Sequence, residues 1–112
     1  MLPNPIPEPL AELIAQRFRV LAEPTRIRLL DRLRAGEASV QELTAALETS
    51  QQNVSKHLGV LAQASVVGRR KQGTLSLYRI TDESVFAVCE HVCGSLARQA
   101  AELDAIVSGS AA

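Results

Sequence analysis

The sequence predicts a mainly α-helical domain with a small β component (α+β), about five helices and one two-stranded β-hairpin. Three observations carry this. Apolar residues recur three and four apart through residues 10–63 and again through 86–107, the spacing of helices with one buried face. Between those blocks, Leu75-Ser76-Leu77-Tyr78-Arg79-Ile80 alternates with the period of a strand, after a Gly-punctuated segment, Gly68 to Thr74. The composition, 46% hydrophobic but only 3% aromatic, requires a core of Leu, Val, Ile and Ala. With 112 residues the chain has material for one such core.

The elements follow in order. Pro3, Pro5, Pro7 and Pro9 deny the first residues a helix, so residues 1–8 are expected to be an extended arm and ordered structure to begin near Pro9. Leu10, Leu13, Ile14, Phe18 and Leu21 give a first amphipathic helix that stops before Pro24. Glu23-Pro24-Thr25-Arg26 opens the second, with proline early, where its missing N–H costs nothing; Ile27, Leu29, Leu30 and Leu33 form its stripe and Gly36 closes it. Ser39 with Glu42 three residues on makes a capping box for a short third helix that buries Val40, Leu43 and Leu47.

Thr49 or Ser50 caps a fourth helix that buries Val54, Leu58 and Leu61 and turns Gln51, Gln52, Ser55, Lys56 and Gln63 outward. The tight Leu47-Glu48-Thr49-Ser50 link makes helices three and four a helix-turn-helix candidate. Val66 to Ile80 then reads as a two-stranded wing, its inward face left open by the pattern. A last helix is expected from Asp82 to Val107, capped by Thr81 or Asp82. Its residues Phe86, Cys89, Cys93, Leu96, Ala100, Leu103 and Val107 repeat as a heptad seam, which calls for a second copy of the same helix and hence a homodimer. The expected organisation is therefore an arm at 1–8, one DNA-binding and dimerisation domain at 9–107, and a flexible tail at 108–112.

Charge points to the partner. The chain is formally neutral, yet all twelve acids lie before residue 49 or after residue 81. The acid-free stretch holds Lys56, Arg69, Arg70, Lys71 and Arg79, a positive helix beside a positive ribbon, which fits double-stranded DNA. Ser50, Gln51, Gln52, Ser55 and Lys56 are the candidates for base edges and nearby phosphates. Arg69, Arg70 and Lys71 are the candidates for phosphates or the minor groove. The bland alternatives are a solvated face and a charged hairpin that resists edge-to-edge aggregation. His57 stands at the border of the inner and outer faces and is assigned either a phosphate contact or a structural hydrogen bond. Arg17, Arg19, Arg26, Arg28, Arg32 and Arg34 are interleaved with acids and read as solvated or ion-paired.

This order of elements resembles the ArsR/SmtB family of bacterial winged helix-turn-helix repressors over about residues 10–107. The specific points are Ala22-Glu23-Pro24-Thr25-Arg26-Ile27-Arg28-Leu29-Leu30 and Ser50-Gln51-x-x-Val54-Ser55-x-His57-Leu58-x-x-Leu61. The resemblance implies a homodimeric repressor on an inverted-repeat operator, released by an inducer. Many members hold a metal with cysteines at the start of the third helix, where this chain has Ala38-Ser39-Val40-Gln41-Glu42. Others use Asp and His on the last helix, where Ser84 stands at an expected His. What remains is Cys89-x-x-x-Cys93. Cysteines four apart share a helix face, with Cβ atoms about 6 Å apart, and across a dimer seam the four sulfurs suit a soft metal, arsenite or oxidation between subunits. The competing reading is that both are small buried hydrophobes. Gly94, also on this helix, suggests a close approach, for which the partner helix is one candidate.

Other classes are disfavoured. No run approaches the roughly 20 apolar residues of a membrane span, so no membrane partner is expected and a cytoplasmic, bacterial protein is. Two cysteines are too few for a disulfide framework. There is no nucleophile paired with a base and no phosphate-cradling Gly loop, so an enzyme is not expected. A winged-helix module that only docks proteins, or a regulator with no metal or redox sensor, stands as the alternative.

Overall fold

Side-chain caps fix where the three central helices begin. Glu23 accepts from the Arg26 amide at 3.2 Å and starts α2 (Pro24–Leu33). Ser39 accepts from the Glu42 amide at 3.2 Å while the Glu42 carboxylate accepts from the Ser39 amide at 3.0 Å, so the expected capping box opens α3 (Val40–Leu47). Of the two residues considered for the fourth helix, Ser50 is the cap: its hydroxyl accepts from the Asn53 amide at 3.1 Å at the start of α4 (Gln51–Gln63). The turn between α3 and α4 is closed by Glu48 in the left-handed conformation, φ 54°.

The computed structural model describes residues 1–109 and divides them into two units, Met1–Asp82 and the segment that begins at Glu83. In the first unit α1 (Glu8–Leu21) precedes α2, and α2 touches α1, α3 and α4. Leu29, Leu30, Leu43, Val54, Leu58 and Leu61 are almost wholly shielded from solvent and form the centre of its core. Each buried Leu contributes about 2 kcal/mol by leaving water, and truncating one to Ala costs about 2–5 kcal/mol. The α1 start differs by one residue from the expectation at Pro9: Pro7 takes the cap position, its carbonyl accepts from the Ala11 amide at 3.0 Å, and Pro9 sits in the first turn, where it lacks a donor that would go unused.

The hairpin is β2 (Val67–Gln72) and β3 (Leu75–Ile80), with Gln72 opposite Leu75 across a two-residue loop whose Gly73 has φ +64°. The hairpin is two-stranded, as the sequence suggested, but the sheet it belongs to has a third strand that the sequence did not show. β1 (Ala38–Ser39) pairs antiparallel with β3, giving a three-stranded sheet in the order β1-β3-β2. A two-residue strand has too few positions to show alternation, and Ser39 already carried a helix-cap signal. The open question of the inward face is settled by Leu77, which is buried, whereas Leu75 near the tip is exposed.

The second unit is α5 (Ser84–Ser108). It starts later than expected, with Glu83 at the cap position and no side-chain cap bond. The two expected caps are occupied elsewhere. The Thr81 hydroxyl donates to the Ser65 carbonyl at 2.9 Å, and Asp82 accepts from Arg17 at 2.7 Å. Ser108 is still helical, Gly109 closes the helix at φ +73°, and the rest of the expected tail, 110–112, lies outside the described residues. Among the described residues, a Cβ at Gly94 would meet the Arg98 guanidinium at an ordinary 3.5 Å and nothing nearer.

Candidate nucleic-acid interface

α4 has two unlike faces because its apolar residues fall four and three apart. Val54, Leu58 and Leu61 are fully buried, while Gln51, Gln52, Ser55, Lys56 and Gln63 are exposed. Ser50 is exposed too, but its hydroxyl serves the Asn53 amide, and Asn53 itself donates from Nδ2 to Thr49 Oγ1 at 3.1 Å. The first-turn amides of Gln51 and Gln52 point out of the helix start, where the helix dipole favours an anion. Beside α4 lies an open groove of about 780 Å3, whose wall on the other side is the second half of α1. Arg19, Arg26 and Lys56 line it with no acid, so the positive surface continues past α4 onto α1.

His57 does not belong to that outer face. The ring is 5% exposed, with Arg26 Nη1 3.1 Å from Nδ1 and Glu23 Oε2 3.5 Å from Nε2. Of the two roles the sequence left open, the geometry supports the structural hydrogen bond, because a ring turned inward between α2 and α4 presents no nitrogen to a phosphate. Burial pushes the imidazole below its ordinary value; Glu23 opposes this, and Lys56 and Arg26 reinforce it. The sequence reading took Arg26 for a surface charge. Its guanidinium instead donates from Nε to the Val20 carbonyl at 2.6 Å and from Nη2 to the Arg19 carbonyl at 3.1 Å. The signal for such a role is faint: an Arg one turn beyond a helix break, with no acid at helical spacing after it.

The wing sorts its cations by strand register. Arg69 is opposite Tyr78 and Lys71 opposite Ser76, so these four share a face; Arg70 is opposite Leu77 and shares the face that turns inward. On that inward side Glu37, just before β1, takes Arg70 in a two-pronged ion pair: Nε lies 3.0 and 3.2 Å from the two carboxylate oxygens and Nη2 closes on Oε1. The hydrogen bond from Arg70 holds the Glu37 carboxyl below the usual carboxylate range, and the same bond raises Arg70. All three wing cations are exposed, but the charge of Arg70 is met within the chain by Glu37, which weighs against its assignment to a phosphate. The pairing was invisible in sequence because Glu37 lies 33 positions away, outside the acid-free stretch.

A family profile for a helix-turn-helix domain matches residues 21–69, which contain α2, β1, α3 and α4. The chain is 35% identical over 89 residues to the biofilm growth-associated repressor of Agrobacterium fabrum, covering 80% of this chain and 76% of that one. It is 45% identical over 76 residues to the uncharacterized HTH-type transcriptional regulator Rv0081 of Mycobacterium tuberculosis, spanning 65% of that protein's length. The crystal structure of Rv0081 aligns with a TM-score of 0.75 over 86% of this chain and 97% of the other. The chain belongs to the ArsR/SmtB family of winged helix-turn-helix regulators. A further structure of this kind, the homodimeric winged helix-turn-helix domain Mb0332 of Mycobacterium bovis, aligns at 29% identity with a TM-score of 0.68, covering 83% of this chain and 92% of that one.

The first turn of α3 is taken up by the Ser39–Glu42 capping box, which offers one carboxylate and no thiolate. No cluster of three or more His, Cys, Asp or Glu side chains able to hold a metal occurs among the described residues. On α5, Cys89 is half-buried, Cys93 is exposed, and His91 between them is exposed. Several other helix-borne arginines are engaged: Arg17 with Asp82 and with the Ala64 carbonyl at 3.3 Å, Arg34 with Asp31, Arg28 with the Leu47 carbonyl at 3.4 Å and Arg32 with the Gly36 carbonyl at 3.4 Å.

Proposed function

We propose that the protein is a transcriptional repressor that binds an inverted-repeat DNA operator as a homodimer. The observation that carries this is α4, whose exposed face, Gln51, Gln52, Ser55 and Lys56, offers donors and acceptors at major-groove spacing with no acid on it. Arg69 and Lys71, side by side on one face of the wing, supply phosphate contacts that hold the register. Ser50 contributes through the helix start it caps. Support for the dimer comes from α5, a 25-residue helix whose seam residues Leu96, Leu103 and Val107 are 59%, 62% and 79% exposed in the single chain. A second copy of the helix covers that seam and sets the spacing of two operator half-sites.

Release acts through the same helix. Cys93 lies on the exposed seam with Cys89 one turn before it, so a soft metal, arsenite or oxidation joining two subunits changes the surface that sets their spacing. Binding of the reduced protein to the DNA upstream of its own gene tests the reading. A Kd in the nanomolar range that weakens steeply with salt is expected; binding that is absent or insensitive to salt overturns it. Repeating the titration with arsenite, zinc or oxidant on wild type, Cys89→Ser and Cys93→Ser separates a sensor from two packing residues. A protein-docking module would keep its partner when Arg69 and Lys71 are neutralised, whereas the repressor loses DNA affinity.

A further inference from the structure

We propose that His57 and Arg26 are positioning residues for the recognition helix α4, and that they work only while His57 is the neutral tautomer with its proton on Nε2. This rests on the DNA-binding reading of α4 given above. The tautomer follows from donor counting. Arginine donates and never accepts, so the 3.1 Å contact between Arg26 Nη1 and His57 Nδ1 requires a bare lone pair on Nδ1. The ring proton then sits on Nε2, which faces Glu23 Oε2 at 3.5 Å.

The position of this pair gives it leverage. One guanidinium reaches the last turn of α1 through the Arg19 and Val20 carbonyls, belongs to α2, and holds the middle of α4 through His57. His57 is flanked by exposed Lys56 and Ser55 on the outward side and by buried Leu58 on the inward side. The charged groups around the ring are Arg26 and Glu23 at the start of α2 and Lys56 on α4 itself; α1 faces Arg26 with carbonyls. Protonating Nδ1 turns the acceptor into a donor aimed at a second cation. The Arg26 bond is lost, and with it the tie that sets the depth at which α4 projects. Base-edge hydrogen bonds tolerate only a few tenths of an ångström.

The consequence has an unusual sign. A histidine that touches phosphate binds DNA more tightly as it protonates; a histidine that must stay neutral to hold the helix does the opposite. Burial depresses the ring's proton affinity, so the folded protein carries the neutral form through neutral pH and the change falls below the ordinary imidazole value of about 6.5.

The test uses the full chain and the tightest duplex selected from random DNA at pH 8. Affinity is measured from pH 8 to pH 5 for wild type, His57→Asn and His91→Gln, and the tautomer of wild-type His57 is read without DNA from long-range 15N–1H correlations. The expected result is an Nε2–H tautomer and a wild-type affinity flat above about pH 6.5 that falls by about tenfold per pH unit below the folded ionisation. His57→Asn, whose Oδ1 occupies the place of Nδ1, accepts from Arg26 and cannot ionise in this range, so its affinity stays flat. His91→Gln follows wild type, because that histidine is exposed on α5. An Nδ1–H tautomer, or an affinity that stays level or rises as pH falls, overturns the proposal even if His57→Asn fails to fold. Absence of any binding at pH 8 instead overturns the repressor reading.

Discussion

α4 and the wing are both basic, and both come from the same acid-free stretch of sequence, yet they reach the surface in different states. The outward face of α4 keeps its amides, its hydroxyl and Lys56 clear of any acid. The wing loses the middle of its three cations to Glu37, which arrives from the segment before β1. The unpaired positive charge on this surface is therefore fixed by what the sheet brings together in space, and counting along the chain overstates the wing.

Mutations can break this comparison at either end. Replacing Gln51, Gln52 and Ser55 together by Ala removes the base-edge groups while leaving every cation. Discrimination between the selected duplex and random DNA is expected to fall about a hundredfold or more, with the salt slope unchanged, in competition binding. Arg69→Ala with Lys71→Ala acts the other way. Affinity falls about tenfold on all sequences alike, and the slope of log affinity against log salt drops by about one per residue.

Arg70→Ala is expected to leave that slope nearly unchanged, because its charge is already met. Glu37→Gln releases it, so binding tightens a few-fold and the slope steepens by up to about one. Protonating Glu37 breaks the ion pair in the same way. Since Glu37 is held below the usual carboxylate range in the folded protein, the pair's contribution to stability is complete above that range and is lost as pH falls through the lowered value. A salt dependence shallower by about one in Arg70→Ala than in wild type would reverse the assignment of the three wing cations.

Short-range patterns made much of this molecule readable. The Ser39–Glu42 box, the Ser50 cap, the burial of Val54, Leu58 and Leu61 and the hairpin about Gly73 all depend on residues within four or five positions of one another, where period and capping chemistry speak directly. What escaped depends on contacts between distant residues. Glu37 meets Arg70 across 33 positions, Arg26 meets His57 across 31, and Arg17 meets Asp82 across 65, which removes Asp82 from the cap of α5. Each pairs charged or polar side chains whose local surroundings look like ordinary surface. Local pattern accordingly shows which side chains of α4 face outward, leaves His57 open between two roles, and misses the ion pair of Arg70.

Ser39 serves two elements at once. Its backbone lies in register with Leu77 of the sheet, and its side chain caps α3. The hairpin and the helix pair are consequently not interchangeable parts. A chimera that grafts another wing onto this body would have to match the pitch of β3 at Leu77 or lose the first turn of α3. Changes in the loop about Gly73 or on the solvent side of the ribbon, by contrast, lie away from Leu77 and are expected to leave the junction untouched.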